Sequence, residues 1–166
     1  VVGDAPASVE LTQALVLVGV ESVGLDGRGD AHLHAGVHQA VKDLNHLYIT
    51  EPALYELDHE PGGFEWILHD DAENSVFSFI RKSRNNDQIV VLINATPVLR
   101  HDYRVGVPCP GFYEEIFNSD AEVYGGANSG NAGGIPSEQM GYHGKEHSVV
   151  VQLPPLAAIY FKLREV

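Results

Sequence analysis

The sequence predicts a mainly β fold, an antiparallel β-sandwich preceded by one α-helix. From residue 75 onward, short β-branched and aromatic runs alternate with turn-forming residues, a pattern typical of a sandwich. The 17 Gly and nine Pro residues also favour many short strands over long helices. Apolar residues recur at helical spacing from Leu33 to Tyr48. We therefore expect one helix followed by strands.

The composition excludes several classes of partner. The 166 residues suffice for one domain with its own core. Lys and Arg total 10 and Asp and Glu total 23, which gives a formal net charge of −13. Nucleic acids and anionic lipid surfaces bind clustered basic residues. We expect neither a nucleic-acid partner nor a membrane partner.

The cysteine content and the apolar runs bear on localisation. Cys109 is the single cysteine, so no internal disulfide can form, which fits a reducing compartment. The most apolar run, Ala14 to Val20, is about a third of the roughly 20 residues that a membrane-spanning helix needs. Asp4 and Glu10 precede this run, whereas signal peptides begin with basic residues. We expect a cytoplasmic protein.

The chain divides into three regions. Residues 1–31 are unassigned, because their short apolar run fits either a buried strand or a short helix, and the turn residues 26–30 mark their end. Residues 32–57 carry the helix, which stops at Pro52 and adds a further turn after it. Residues 58–166 form the β-domain.

The helix has one apolar face, which must pack on something apolar. Lys42, Asp43 and Asn45 fall off this face. The face consists of Leu33, Val37, Ala40, Val41, Leu44, Leu47 and Tyr48.

The β-domain contains six predicted strands. The first two, 75–81 and 88–94, form a hairpin around residues 83–87. The others are 103–107, 112–118, 148–153 and 158–163. Residues 125–147 are rich in Gly and Asn and form a long loop that is either functional or flexible. Alternation predicts a core of Phe77, Phe79, Ile89, Val91, Ile93, Val149, Val151, Ile159 and Phe161.

A series of short motifs runs through residues 34–164. The helix carries His34–Val37, Val41–Tyr48 and Glu51–Tyr55. The β-domain carries Gly63–Ile67, Asp70-Asp71, Ser75-Val76, Asn94–Val98, Arg100–Arg104, Val107-Pro108, Pro110-Gly111, Asn118–Asp120, Tyr124–Gly126, Gly130-Asn131, His143-Gly144 and Leu153–Leu156. In order and in spacing, these motifs resemble those of the 1,4-α-glucan (glycogen) branching enzymes of the α-amylase superfamily.

The resemblance implies that the helix is the last one of a (β/α)₈ barrel and that the β-domain is the C-terminal sandwich that follows it. The whole enzyme would cut an α-1,4 glucan chain and rejoin it as an α-1,6 branch. Its catalytic carboxylates would lie on barrel strands before the matched region, so we expect no catalytic residue here. The implied partners are α-glucan and the catalytic barrel domain.

Residues 1–31 depart from this family pattern. They contain no Trp, Tyr or Phe where the family has an aromatic-rich segment before the helix. A gene fragment, a truncation or a frame discontinuity would each produce such a segment. Without the barrel the apolar helix face would be exposed, and we expect self-association through it.

Three aromatic residues are candidates for glucan binding, because flat aromatic faces stack on sugar rings. They are Trp66, Tyr124 and Tyr142. Core packing is the more ordinary role for Trp66 and Tyr113. Tyr124 and Tyr142 flank the long loop, where exposure is more plausible.

The carboxylates and the thiol give weaker signals. Retaining glucan transfer needs two carboxyl groups about 5 Å apart. Arg28–Asp30 echoes the nucleophile motif of the amylase superfamily but lies directly before the helix, so we interpret it as an exposed turn. Asp70-Asp71 and Glu114-Glu115 are adjacent and would point to opposite faces of a strand. Cys109 has no paired histidine in sequence, so we expect it to be inert.

Histidines complete the list of candidates. His34 and His38 share a helix face and, with His32, could hold a metal ion, but structural or exposed roles are favoured. His101, His143 and His147 have no neighbouring nucleophile. We predict no metal and no cofactor.

Three hypotheses remain open. The chain is the C-terminal part of a branching enzyme, or a free-standing α-glucan-binding β-sandwich without activity, or the inactive product of an interrupted gene. Branching activity of the chain on amylose would contradict all three. Retention by glycogen separates the binding module from an inert chain.

Overall fold

A computed structural model of the chain describes residues 31–164, with side chains from residue 34 onward. It confirms a mainly β fold with antiparallel sheets and a helix before the strands. The helices are α1 (Ala31–Thr50) and α2 (Pro52–Tyr55), with 3₁₀ turns at Pro61–Gly63 and Glu122–Tyr124. The strands are β1 (Phe64–Asp71), β2 (Val76–Lys82), β3 (Gln88–Asn94), β4 (Arg100–Val107), β5 (Phe112–Asn118), β6 (Gly134–Pro136), β7 (His147–Leu153) and β8 (Ala157–Arg164).

The strands form two sheets. A six-stranded sheet has the order β1-β2-β3-β8-β5-β6, and β4 pairs with β7 in a second sheet. The predicted hairpin is confirmed: β2 and β3 pair without a register shift, with Phe79 opposite Val91. The sequence predicts a loop at residues 125–147, because this stretch has little apolar content. The structure corrects this in part, since the stretch contains the short strand β6.

The core between the two sheets is formed by every second residue of the central strands. Ile80, Val90 and Ile159 of the large sheet meet Val149 and Val151 of the small one. Val76, Leu92, Val105, Val107, Tyr113, Leu153 and Phe161 complete this cluster. Four of the nine core residues expected from the sequence lie here: Val149, Val151, Ile159 and Phe161.

A second core covers the opposite face of the large sheet. Phe79, Ile89, Val91 and Ile93 point away from the small sheet and form this cluster with Ala53, Phe117, Ala158 and Tyr160. Phe77 is half-buried at its margin. Eight of the nine residues expected inside are buried, which confirms their burial, but they divide between two cores. All seven residues of β3 are buried, because both faces of the sheet are covered.

The helical segment is the cover of this second face. Leu44 and Leu47 of α1 and Leu54 of α2 pack against the cluster. A Cβ added at Gly36 would overlap the carbonyl oxygen of Tyr124, so the backbone of α1 approaches the second 3₁₀ turn closely. Leu44 and Leu47 of the apolar helix face thus have a partner within this chain, which corrects the expectation that the face lacks one.

Ion pairs and hydrogen bonds fix the end of the helical segment to the sheet. Arg81 of β2 is buried, pairs with Asp58 and donates to the carbonyl of Leu54 at 3.1 Å. Lys162 of β8 pairs with Glu51, the residue between the two helices. The helical region and the β-domain thus share both a core and charged contacts.

Apolar surface remains on the outer side of this region. Ile49 is 71% exposed, and Tyr48 and Tyr55 are exposed beside it. Their rings lie 6.2 Å apart. Self-association through the helix stays a prediction, and these three residues are the exposed apolar residues near the helix end that it would use.

Two strands were missed by sequence reasoning. The register of β1 shifts between Trp66 and Leu68 and again between Leu68 and Asp71, so its side chains do not alternate regularly. The strand β6 has only three residues and pairs at the edge next to β5. In the described part of the chain, no helix is both long and apolar enough to cross a membrane.

Val91 tests the second core. Replacing Val91, which is 1% exposed, by Asp places an unpaired charge between sheet and helix, so we expect the cooperative thermal transition to be lost. Val98→Asp is the matched control, because Val98 is exposed and surface changes usually alter stability by less than about 0.5 kcal/mol. A cooperative Val91→Asp variant would contradict the second core.

We also expect the thermal transition of the parent chain to survive deletion of residues 1–31.

Candidate functional site

Trp66 lies on β1, on the face that carries the second core. The residue is 40% exposed, and its ring packs edge-on against Phe64 at 5.0 Å and Phe79 at 5.8 Å between centroids. His69 lies 5.8 Å away. The indole is therefore partly engaged in packing, with one portion facing solvent.

Tyr124 lies where α1 meets the sandwich. Its half-buried ring packs against Phe117 of β5 at 5.5 Å, and its hydroxyl donates to Asp43 of α1 at 2.9 Å. Gln39 donates to the other oxygen of this carboxylate. The hydrogen bonds from Gln39 and Tyr124 lower the pKa of Asp43, while burial and Asp43 raise the pKa of Tyr124. The observed contacts of Tyr124 position the helix.

Tyr142 lies in a tight turn before β7. It is 44% exposed, and its ring is tilted against that of His143 with 4.3 Å between centroids. Trp66 and Tyr124 lie near β1 and β5, four strand spacings or about 19 Å apart across the sheet. The three candidates therefore do not form one site, and glucan binding by them stays a prediction.

The long loop is ordered by carboxylates rather than free. Asp120 accepts hydrogen bonds from the backbone N–H groups of Ala127 at 3.0 Å and Ser129 at 2.9 Å. Glu115 accepts from the backbone and side chain of Asn131 at 2.9 and 2.8 Å. The Asn-Ser-Asp, Tyr-Gly-Gly and Gly-Asn motifs of the sequence thus build one folded unit.

Asn94 holds together the end of β3 and the turn before β8. It is fully buried, and its side-chain nitrogen donates to the carbonyls of Val98 at 2.8 Å and Pro154 at 2.9 Å. Its side-chain oxygen accepts from the backbone and hydroxyl of Thr96. This motif is structural. No pattern in the sequence indicated that Asn94 would donate to Pro154, which lies 60 residues further along the chain.

The predicted carboxylate pairs have separate surroundings. Asp70 is exposed, whereas Asp71 accepts from Asn74 and from the hydroxyl of Tyr103 at 2.8 Å. Burial opposes ionisation of Asp71, but the hydrogen bonds of Asn74 and Tyr103 outweigh it and lower its pKa. Glu114 pairs with Arg164. The segment Arg28–Asp30, which resembles the nucleophile motif, lies outside the described residues.

Glu65 connects the two sheets. It pairs with Lys82 of β2 and with Lys145, which precedes β7. Hydrogen bonds from Lys145 and Lys82 lower the pKa of Glu65. Sequence reasoning missed this residue, because neither lysine is near it along the chain.

The remaining candidates are dispersed. His34, His38 and His101 are exposed, the side chain of His32 lies outside the description, and His147 is half-buried with an unpaired Nδ1. Within residues 34–164, no three His, Cys, Asp or Glu side chains are grouped to hold a metal ion. Cys109 is half-buried, and its carbonyl accepts from the hydroxyl of Tyr113, 2.8 Å away. Tyr113 itself lies in the core between the sheets.

Gly36 tests the contact between α1 and the sandwich. Helix propensity alone predicts that Gly36→Ala stabilises the protein by about 1 kcal/mol. The structure predicts the opposite sign, because the new methyl group would overlap the backbone of Tyr124, and overpacking costs about 1–3 kcal/mol. Chemical denaturation measures the difference. Gly62→Ala is the control, since nothing lies within 4 Å of a Cβ there, and a stabilised Gly36→Ala variant would contradict the contact.

A comparison with protein families agrees with this architecture. The model of the α-amylase C-terminal all-beta domain matches residues 66–164, from β1 to the end of β8. The match covers more than half of the chain and the whole set of strands that encloses the first core. Helix α1 lies before the matched region and packs on its outer face. The chain belongs to the α-amylase C-terminal all-beta domain family.

Proposed function

We propose that this chain is the C-terminal part of a 1,4-α-glucan branching enzyme. In that enzyme it supports the catalytic barrel in the cytoplasm and does not catalyse chain transfer by itself. The family membership supports the superfamily, and the motif resemblance across residues 34–164 supports the branching specificity.

The observation that carries this proposal is the joint between α1 and the sandwich. The resemblance assigns α1 to the end of the barrel, and α1 shares a core with the β-domain through Leu44 and Leu47. Tyr124 and Asp43 add a hydrogen bond to that joint. A domain that packs against the last barrel helix and hydrogen-bonds to it in this way is suited to hold the barrel in place. The exposed Ile49 is then available to the rest of the barrel.

Three carboxyl groups of the described residues, Asp43, Glu65 and Asp71, are unsuited to the acid role in glycosyl transfer. A retaining glycosyl transfer needs one carboxyl group that stays protonated near neutral pH, which requires a raised pKa. The surroundings of Asp43, Glu65 and Asp71 lower the pKa of each. These three groups are ionised, and their bonds connect elements of the fold.

The alternative function is a free-standing α-glucan-binding module without activity. The exposed ring of Tyr142, held on a tight turn, is the observation that favours it. In this alternative the helix covers the sheet but supports no barrel. Glucan binding alone does not separate the two functions, so the test must use the barrel.

Complementation of a truncated enzyme tests the proposal. We expect the chain alone to leave the iodine spectrum of amylose unchanged. Added to a branching enzyme that ends before its last barrel helix, it should restore branching, seen as a loss of iodine absorbance without new reducing ends. Restoration follows because the missing helix and its support are supplied together.

An α-amylase cut at the corresponding place is the matched control. Rescue of the amylase but not of the branching enzyme would contradict the branching specificity, and rescue of neither would favour the free-standing module. A chain that altered the iodine spectrum alone would contradict the non-catalytic role.

A further inference from the structure

The face of α1 opposite the sandwich is rich in imidazole groups and contains no carboxylate. It exposes a row of side chains at intervals of four residues, which places them along one side of the helix: His34, His38, Lys42 and His46. The single carboxylate of α1, Asp43, faces the sandwich, where it accepts a hydrogen bond from Tyr124. In a chain with a formal net charge of −13, this face therefore differs from the rest of the sequence.

His34 and His38 lie one helical turn apart in this row, and both are exposed. Residues four apart on a helix have Cβ atoms about 5–6 Å apart, and two histidines at this spacing can bind one metal ion together. Gly36, between them in the chain, lies so close to the carbonyl of Tyr124 that an added Cβ would overlap it. The turn that carries both imidazoles is therefore anchored to the sandwich on its other side.

The chemistry of this pair selects a class of metal ion. Imidazole nitrogens suit Zn²⁺, Cu²⁺ and Ni²⁺, whereas Mg²⁺ and Ca²⁺ take carboxylate and carbonyl oxygens. Zinc binds four ligands in tetrahedral geometry. Within residues 34–164, no third His, Cys, Asp or Glu side chain is grouped with the pair. The described part of one chain thus fills half of a zinc coordination shell.

A second copy of the chain can supply the missing half. A two-fold axis brings the same patch of two copies together, so each copy contributes the same two ligands. Ala35, which is exposed beside the pair, has a side chain too small to keep two such helices apart. The net negative charge makes two copies repel each other, and a divalent cation between them offsets part of this repulsion.

We propose that His34 and His38 of two copies form a shared zinc site that joins the chain into a dimer. One Zn²⁺ is bound there by four imidazole nitrogens at the usual distance of about 2.0–2.1 Å. Such a site replaces the sequence-based expectation that the chain holds no metal. It lies about 16 Å along the helix axis from the exposed Ile49, so it is separate from the surface available to a barrel. Zinc-dependent pairing does not depend on the proposed branching function.

Analytical ultracentrifugation of the untagged full chain tests the shared site. We expect half an equivalent of Zn²⁺ to tighten dimer formation about 100-fold relative to EDTA, because one ion then links the two copies. The same concentration of Mg²⁺ should have no effect. His34→Gln and His38→Gln should each abolish the zinc effect, since either change removes two of the four ligands in a dimer. His46→Gln is the matched control, an exposed histidine of the same row with no histidine four residues away.

Thermal unfolding in EDTA establishes that each variant is folded. Equal association in EDTA and in Zn²⁺ would overturn the shared site, as would a His38→Gln variant that still responds to zinc. Calorimetry that showed one Zn²⁺ bound to each chain, without a dimer, would overturn the role of the second copy. An equal loss in His46→Gln would mean adventitious binding to surface histidines and would also overturn the site.

Discussion

Burial of β3 on both faces is the constraint on which the other features of this structure depend. All seven of its residues are buried, and its neighbours β2 and β8 carry apolar side chains on both sides. A sheet of this kind needs two covers, since exposure of either face would cost roughly 25 cal/mol for each Å² of apolar surface. The β4–β7 pair covers one face and the helical segment covers the other. The helix is therefore a structural layer of the domain.

The acidic surplus of the chain has a structural use. Asp58 and Glu51 pair with Arg81 and Lys162, so the two ends of α2 are fixed to the sheet that it covers. Asp120 and Glu115 order the long loop through backbone and amide groups. Each of these carboxylates is held by its partners and in turn holds a segment of the backbone in place. This connects the electrostatics to the proposed role, in which the chain supports a barrel that carries out the chemistry.

Local patterns in the sequence predicted the fold class, the hairpin of β2 and β3, and the helix with its break at Pro52. They failed where the result depends on partners distant along the chain. A continuous apolar run such as β3 has the same composition whether a sheet or a helix covers its second face. The register shifts of β1 hid that strand, and Tyr124 meets Asp43 across 81 residues.

Hydrogen exchange of the backbone amides tests the central claim that α1 is part of the folded domain. In a structure with two covered faces, the helix and the central strands open together. The amides of residues 40–48 should then be protected nearly as strongly as those of β3 and β8. Exchange of these helix amides at the rate of an unstructured peptide, with β3 still protected, would contradict the account. It would mean that the second face of the sheet does not depend on the helix for its cover.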